Sequence, residues 1–365
     1  MGTGPLRVVV WSTGSIGRIA INAVRRRPDL ELVGVWVHSP SKAGRDAGEL
    51  ANGVPIGVTT TNDAQALIDL RPDCVIYAAS GPERDAASVP DYVRLLEAGI
   101  NVVTTSSVRL INPATFDPPF LAELQRATET GGASIYASGI EPGFILEEVP
   151  LLLSTQSSAI RSIHAYEIGL YDDYAVADTM MDGMGFGRPM DFEPFICIPG
   201  VISHEWAGGI YRMASALGVE VEEIRETVER RPTDRTLEVA CGTLEAGTGG
   251  AIRIQAIGVV DGRELITIEH VTRMARDLAP DWPTAEADVA YRIEIEGEPN
   301  MRCDFHCTLD DPKASGIDGM AAGAGAMVAT AMRVVNAVPY VVAARSGVLG
   351  AADLPTTLPR HVFAR

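Results

Sequence analysis

Two short runs carry the residue types with the clearest chemical meaning: Ser12-Thr13-Gly14-Ser15-Ile16-Gly17 near the start of the chain, and Ser138-Gly139-Ile140-Glu141-Pro142-Gly143-Phe144 further on. In the first, an apolar strand enters a tight turn and a helix opens at Ser15. The spacing Ser12-x-Gly14-x-x-Gly17 is that of a dinucleotide-binding turn whose first glycine has been replaced. Gly14 would let the backbone approach a pyrophosphate, and Gly17 would let the helix pack closely on the strand. The unpaired N–H groups of the helix start supply positive potential. The bland alternative is a tight turn without a ligand. In the second run, glycines and a proline fix a sharp turn where a sheet ends and a domain junction is expected, a usual place for a ligand crevice. A partly desolvated Glu141 would be held protonated there and serve as proton donor or base. It could equally be a helix-start carboxylate before Pro142, held by the macrodipole, and the two roles are compatible.

Cofactor choice is read at the end of the second strand, Val37-His38-Ser39-Pro40-Ser41-Lys42, with Arg45 beyond it. No acid stands there to accept hydrogen bonds from a ribose 2′-OH. A hydroxyl followed by cations suits a 2′-phosphate, so NADP is expected, with NAD tolerated. The alternative is a solvated loop in which the cations do nothing specific. Further strand ends put Ala79-Ser80-Gly81 and Thr104-Thr105-Ser106 near the nicotinamide half. A second polar cluster, Glu167, Tyr171, Asp172, Asp173 and Tyr174, precedes the Met-rich stretch 179–189, and with Phe144 it could line a substrate pocket. His270 shares a strand face with Ile266 and Ile268, as a core histidine or, less commonly, a pocket acid/base. Five scattered cysteines, with no CxxC or HExxH spacing, support neither a disulfide framework nor a metal site.

These residues need elements to hold them. Strand-like runs at 6–11, 30–38, 73–79, 100–105 and 133–138 alternate with helical patterns near 15–27, 62–69, 88–98 and 117–130. Continuous apolar strands separated by helices predict a doubly wound α/β domain with a parallel sheet over residues 1–142. Beyond it come a helix through 144–153, an alternating strand at 159–170, a helix near 200–217, and two hairpins turning at Asp261-Gly262 and Glu296-Gly297. An α+β domain with a largely antiparallel sheet is therefore expected over 143–318. An apolar Gly/Ala-rich helix and tail, 319–365, complete the chain; Arg333, Asn336 and Pro339 mark that helix as buried rather than membrane-spanning.

The net charge is −18, from 30 Lys+Arg and 48 Asp+Glu over 365 residues. Such a field repels nucleic acid and anionic membranes, so the bound polyanion must be a local exception. With a strand beginning at Leu6, no signal peptide is expected, and the protein reads as cytoplasmic.

The phrases VVVWSTGSIG, VHSPSKAGRDAGEL, SGIEPGF, IEHVTR and RVVNAVPYVVAARSG occur in this order along nearly the whole chain. Together they resemble the dihydrodipicolinate-reductase-like oxidoreductases, in the branch of 2,4-diaminopentanoate dehydrogenase and the native amine dehydrogenases. The resemblance implies a Rossmann domain and an α+β domain whose sheet forms a homodimer. It also implies a last helix returning to the cofactor domain, with Asn336 on it among the cofactor contacts. The implied chemistry is hydride transfer between NAD(P)H and a C=N bond formed from a ketone and ammonia, or the reverse. Two departures stand out. The family's glutamate after the fifth strand is absent from Thr104-Thr105-Ser106-Ser107-Val108-Arg109-Leu110, and Glu141 stands where relatives have Asn. Either the acid has moved to Glu141, or ammonia handling is lost and Ser106, Ser107 or Glu141 assists proton delivery to another bond. Amine dehydrogenase, carbonyl reductase and a non-catalytic NADP sensor are the readings this leaves, each with a small-molecule partner.

Overall fold

The computed structural model describes residues 4–79, 84–311 and 323–363. Ser80, Gly81 and the expected first residues of the last helix lie outside them. The chain divides into two compact units, residues 1–140 with 327–365, and residues 141–326. The first unit runs β1 (Leu6–Trp11), α1 (Ser15–Arg25), β2 (Leu30–Trp36), α2 (Ala47–Asn52), β3 (Thr60–Thr61), α3 (Ala64–Asp69), β4 (Cys74–Tyr77), α4 (Arg84–Glu97), β5 (Asn101–Thr104), α5 (Pro118–Gly131) and β6 (Ser134–Ala137). The second runs α6 (Glu148–Ser154), β7 (Ala159–Leu170), α7 (Val201–Ala216), β8 (Glu223–Pro232), β9 (Leu237–Val239), β10 (Gly242–Leu244), β11 (Gly249–Val260), β12 (Arg263–Arg273), β13 (Val289–Glu298) and β14 (Met301–His306). The chain then re-enters the first unit through α8 (Ala324–Ala343) and β15 (Gly347–Leu349).

The first sheet is parallel, with strand order β15-β6-β5-β4-β1-β2-β3. Its order reverses between β1 and β4, the switch point at which such sheets bind ligands beyond their carboxyl ends. Alternate residues serve opposite faces. Val8, Val10 and Ile76 pack with Ile21 of α1 and with Val334, Val338 and Val341 of α8. Val9, Val75 and Tyr77 pack with Tyr92 and Leu95 of α4. Each such buried side chain contributes roughly 1.5–3 kcal/mol, which explains why runs apolar on both faces become central strands. Trp11 extends one layer by stacking on Trp36 at 5.0 Å and Tyr77 at 5.7 Å. Helix α8 is long and apolar enough to cross a membrane by length and composition, and it forms part of this core.

The second sheet has order β14-β13-β7-β12-β11-β8, antiparallel except for the β7–β12 pair. The two hairpins are thus separated by β7, which alternation within each hairpin could not reveal. The first turns at Asp261-Gly262, both with positive φ, as a two-residue primed turn requires. The second turns at Pro299-Asn300, not at Glu296-Gly297. Gly297 instead lies at a register shift against β7, where a Cβ would come within 2.1 Å of the Ala159 carbonyl oxygen. The helix expected from residue 144 begins only at Glu148, because Glu147 is non-helical (φ −124°, ψ −58°) and turns its side chain inward.

Candidate active site

Two groupings emerge, one in each unit. In the first, Ser12 occupies the position of the missing glycine and adopts φ 110°, a conformation that glycine takes freely. Its Oγ accepts the Gly14 N–H at 3.2 Å. Gly17 packs so closely that a Cβ there would lie 2.1 Å from the Ser12 carbonyl oxygen. Gly14 differs: its φ of −71° suits any residue, and a Cβ would meet only Ser12 Oγ, at 3.6 Å. What Gly14 preserves is open space in front of the helix. No side chain caps α1 and no acid sits in its first turn, leaving the positive end of the helix for an anion. Thr13, Ser15 and Ile16 complete this turn.

The loop after β2 comes to the same turn, with Lys42 Nζ 3.4 Å from Thr13 Oγ1. Ser39 is half-buried beside an exposed His38. The next carboxylate along the chain, Asp46, is committed to backbone N–H groups of Gly48, Ile56 and Gly57. Open amides, an uncrowded Gly14 and a cation suit a dinucleotide, so the residues present fit the cofactor that the turn implies.

Other expected contacts fall elsewhere. Thr104 is wholly buried and its hydroxyl bonds to Tyr92 Oη at 2.9 Å. Ser107 is also buried, 3.1 Å from the same oxygen. Both hydroxyls therefore support the end of β5 from inside rather than facing a ligand. Ser106 stays half-buried and donates to the Ala79 carbonyl at 2.6 Å, tying β5 to β4. Asn336 is a further correction: its Oδ1 accepts from Arg27 Nη1 at 2.9 Å, beyond the C-terminal end of α1 and so at the opposite end from Gly14. Arg27, itself buried, is held there by an ion pair with the partly exposed Asp29 at 2.7 Å. On α8 it is Arg333 that reaches the carboxyl end of the sheet, with Nε 3.2 Å from Ser138 Oγ.

The second grouping opens the second unit. Glu141 accepts a hydrogen bond on Oε1 from the Trp206 indole N–H of α7. The residue keeps some exposed surface, but its carboxyl end is desolvated and feels the negative charge of Glu167. Burial first, then the charge of Glu167, raises the Glu141 pKa well above the carboxylate range. Glu147, fully buried, accepts the Gly143 N–H at 2.9 Å and adds negative charge. It fits only because position 209 of α7 is glycine, where a Cβ would fall 2.6 Å from Glu147 Cγ.

Glu167 lies on β7 and pairs in register with His270 of β12 and Tyr291 of β13, so the three share one sheet face. Tyr171 Oη donates to Glu167 Oε1 at 2.5 Å, and Tyr174 stacks on Tyr171 at 5.6 Å. His270 sits edge-on to Tyr171 and Trp206, its Nε2 buried, without a hydrogen bond and 3.9 Å from Glu167 Oε1. Phe144 is half-buried in the turn after Glu141, where its carbonyl accepts Glu148 N–H at 2.8 Å. Such a group can bind a cation and move a proton. Among the described residues, no group of three His, Cys, Asp or Glu is arranged to hold a metal ion.

Sequence reasoning did not connect Trp206, Glu147 and Tyr291 to this site. The available signal was a carboxylate, Glu167, in phase with Ile163 and Ala165 on a buried strand face. Its partners come from other strands and from α7, and no spacing rule links them.

Residues 144–363 match the family of the 2,4-diaminopentanoate dehydrogenase C-terminal domain, and residues 6–87 that of the dihydrodipicolinate reductase N-terminus. The chain is 40% identical over 354 residues to an amine dehydrogenase of Streptomyces virginiae, covering 96% of each protein. It is 23% identical to the 2,4-diaminopentanoate dehydrogenase of Acetoanaerobium sticklandii over 98% of this chain and 95% of that one. The fold is similar to the solved structure of an amine dehydrogenase from Mycobacterium smegmatis, with a TM-score of 0.77 at 20% identity over 98% of both chains.

Proposed function

Because the chain belongs to the 2,4-diaminopentanoate dehydrogenase family, we propose that it is an NADP-preferring amine dehydrogenase, interconverting a ketone plus ammonia and the corresponding amine. The observation that carries this reading is Glu141: a carboxyl kept protonated by burial, in a chain similar along its whole length to an amine dehydrogenase. A nicotinamide, when bound, would accept or supply the hydride. The amides of Ser15, Ile16 and Gly17 bind the pyrophosphate, with Thr13 beside them. Lys42 and Ser39, beside His38, bind the 2′-phosphate. Ala79, tied by Ser106, closes the other side of the switch point. Glu141, protonated at the start, gives its proton to the developing oxyanion as ammonia adds, takes one from the nitrogen of the carbinolamine and gives it to the departing oxygen. Phe144, Tyr171, Tyr174 and His270 surround the substrate. A cytoplasmic homodimer formed through the second sheet belongs to the same reading.

The test follows absorbance at 340 nm with a panel of ketones, with and without ammonium, using NADPH and NADH in parallel. Consumption that requires ammonium and favours NADPH is expected. Equal turnover without ammonium would replace the reading with a carbonyl reductase, which the lack of a carboxylate in Thr104–Leu110 favours.

A further inference from the structure

We propose that Glu167 and His270 together seat the amine or ammonium nitrogen, the Glu167 carboxylate and Nε2 of His270 each accepting one of its N–H groups. That this cation is the reacting nitrogen rests on the amine dehydrogenase reading; the existence of a cation seat does not.

The two residues meet because β7 and β12 run parallel with Glu167 opposite His270, and both side chains leave the same face of the sheet. Oε1 of Glu167 and Nε2 of His270 are 3.9 Å apart. That is too long for a hydrogen bond, yet an atom about 2.9 Å from each spans it. His270 Nε2 is buried and has no hydrogen-bond partner among the described residues. Buried polar atoms are nearly always paired, and the positions before it on this strand face are the apolar Ile266 and Ile268. Thr272, next along the same face, repeats the pattern: it is wholly buried and its Oγ1 has no partner among the described residues. Two unpartnered polar atoms in succession, on the strand beside Glu167, point to a stretch of β12 that receives the polar atoms of a ligand.

Charge decides which ligand. Glu167 is 4% exposed, its donor is the neutral Tyr171 hydroxyl at 2.5 Å, and among the described residues no lysine or arginine pairs with it. The rings of Tyr171 and Trp206 flank the imidazole at 6.1 and 6.0 Å. They shield the corner from water, so a carboxylate there attracts a cation more strongly than in solvent. A hydroxyl would bridge the same two atoms but leave the carboxylate without a counter-charge. A protonated amine supplies that charge and has N–H groups for both acceptors. His270 keeps 12% of its side chain exposed and so lies at the edge of the buried cluster, not deep within it.

The experiment follows the histidine ring nitrogens of the full-length protein by NMR, with the His270 signal identified by its loss in His270→Phe, or in His270→Gln if the first variant folds poorly. Ammonium chloride should shift the Nε2 resonance, and sodium chloride at the same ionic strength should not. Glu167→Gln keeps the size of the side chain and removes its charge, so about 10- to 100-fold more ammonium should be needed for the same shift. No shift with ammonium, or an equal shift with sodium, would overturn the seat. In steady-state kinetics His270→Phe should raise the KM for ammonium about tenfold or more. His270→Gln retains an acceptor and should recover most of that loss, while the KM for ketone moves little in either variant. An ammonium KM unchanged in His270→Phe would overturn the seat, as would a loss in both variants that falls equally on ketone. Ketone turnover independent of ammonium would instead refute the amine dehydrogenase reading, and the ring-nitrogen titration, which needs no turnover, would still judge the seat.

Discussion

Substituting alanine at Gly14 and at Gly17 separates two reasons for glycine in one turn. At Gly14 the backbone is ordinary (φ −71°) and a Cβ meets only Ser12 Oγ at 3.6 Å, so Gly14→Ala should fold with an unchanged melting temperature. The new methyl, however, stands before the open amides of α1, where a phosphate must come within hydrogen-bond distance. Pushing the phosphate out by about 1 Å forfeits at least one charge-assisted hydrogen bond, about 1.5–3 kcal/mol. That corresponds to roughly a 10- to 100-fold rise in Kd. At Gly17 the Cβ would lie 2.1 Å from the Ser12 carbonyl oxygen, so strand and helix must part. Overpacking of that kind costs about 1–3 kcal/mol, and Gly17→Ala should lose several degrees of Tm as well as cofactor affinity. NADPH fluorescence titration gives Kd, and calorimetry of the cofactor-free protein gives Tm. Unchanged NADPH affinity in Gly14→Ala would refute the assignment of this turn to the pyrophosphate. A Tm loss in Gly14→Ala equal to that in Gly17→Ala would refute the distinction between them.

Three further outcomes follow. Glu141→Gln should cut turnover by about 100-fold or more while NADPH affinity stays near wild type; unchanged turnover removes Glu141 from the chemistry. Lys42→Ala should weaken NADPH by about tenfold and NADH hardly at all, since only NADPH carries the 2′-phosphate; equal losses would show that Lys42 does not read it. On the other face of the second sheet, burial would raise the Glu269 pKa, but hydrogen bonds from His164, Arg253 and Gln255 bring it down to about 2. A lowered folded pKa stabilises above the unfolded value and is lost as pH falls through the folded one, here between about pH 5 and 2 and worth about 3 kcal/mol. Glu269→Gln should therefore lower stability at neutral pH and flatten the acid limb in urea unfolding from pH 7 to 3; an unchanged acid limb would exclude Glu269 as its source.

The nucleotide half of the site was legible because its parts are local. Strand, turn and helix lie within Leu6–Arg25, and the close approach that demands Gly17 involves a residue five positions earlier. Lys42 could be placed by the same logic, as a cation in the loop that follows the adjacent strand. Thr104, Ser107 and Asn336 were misplaced for want of a direction. Strand ends can be read from sequence, but whether a hydroxyl turns in towards Tyr92 or out towards a ligand depends on what packs there. Asn336 depended on how far α8 advances along the sheet, which is set by packing of its valines.

By itself the sequence determined an acidic α/β chain with a dinucleotide turn, an alternating second sheet and a conspicuous Glu141, because strand period, turn chemistry and charge are properties of neighbouring residues. Only the tertiary structure decided what Glu141 can do. The indole of Trp206 comes from α7, Glu167 from the middle of β7, and Tyr291 and His270 from strands that flank it in space but lie more than 100 residues away in sequence. Proton affinity depends on distance and desolvation, which arise when strands pair in register and close around a carboxyl group.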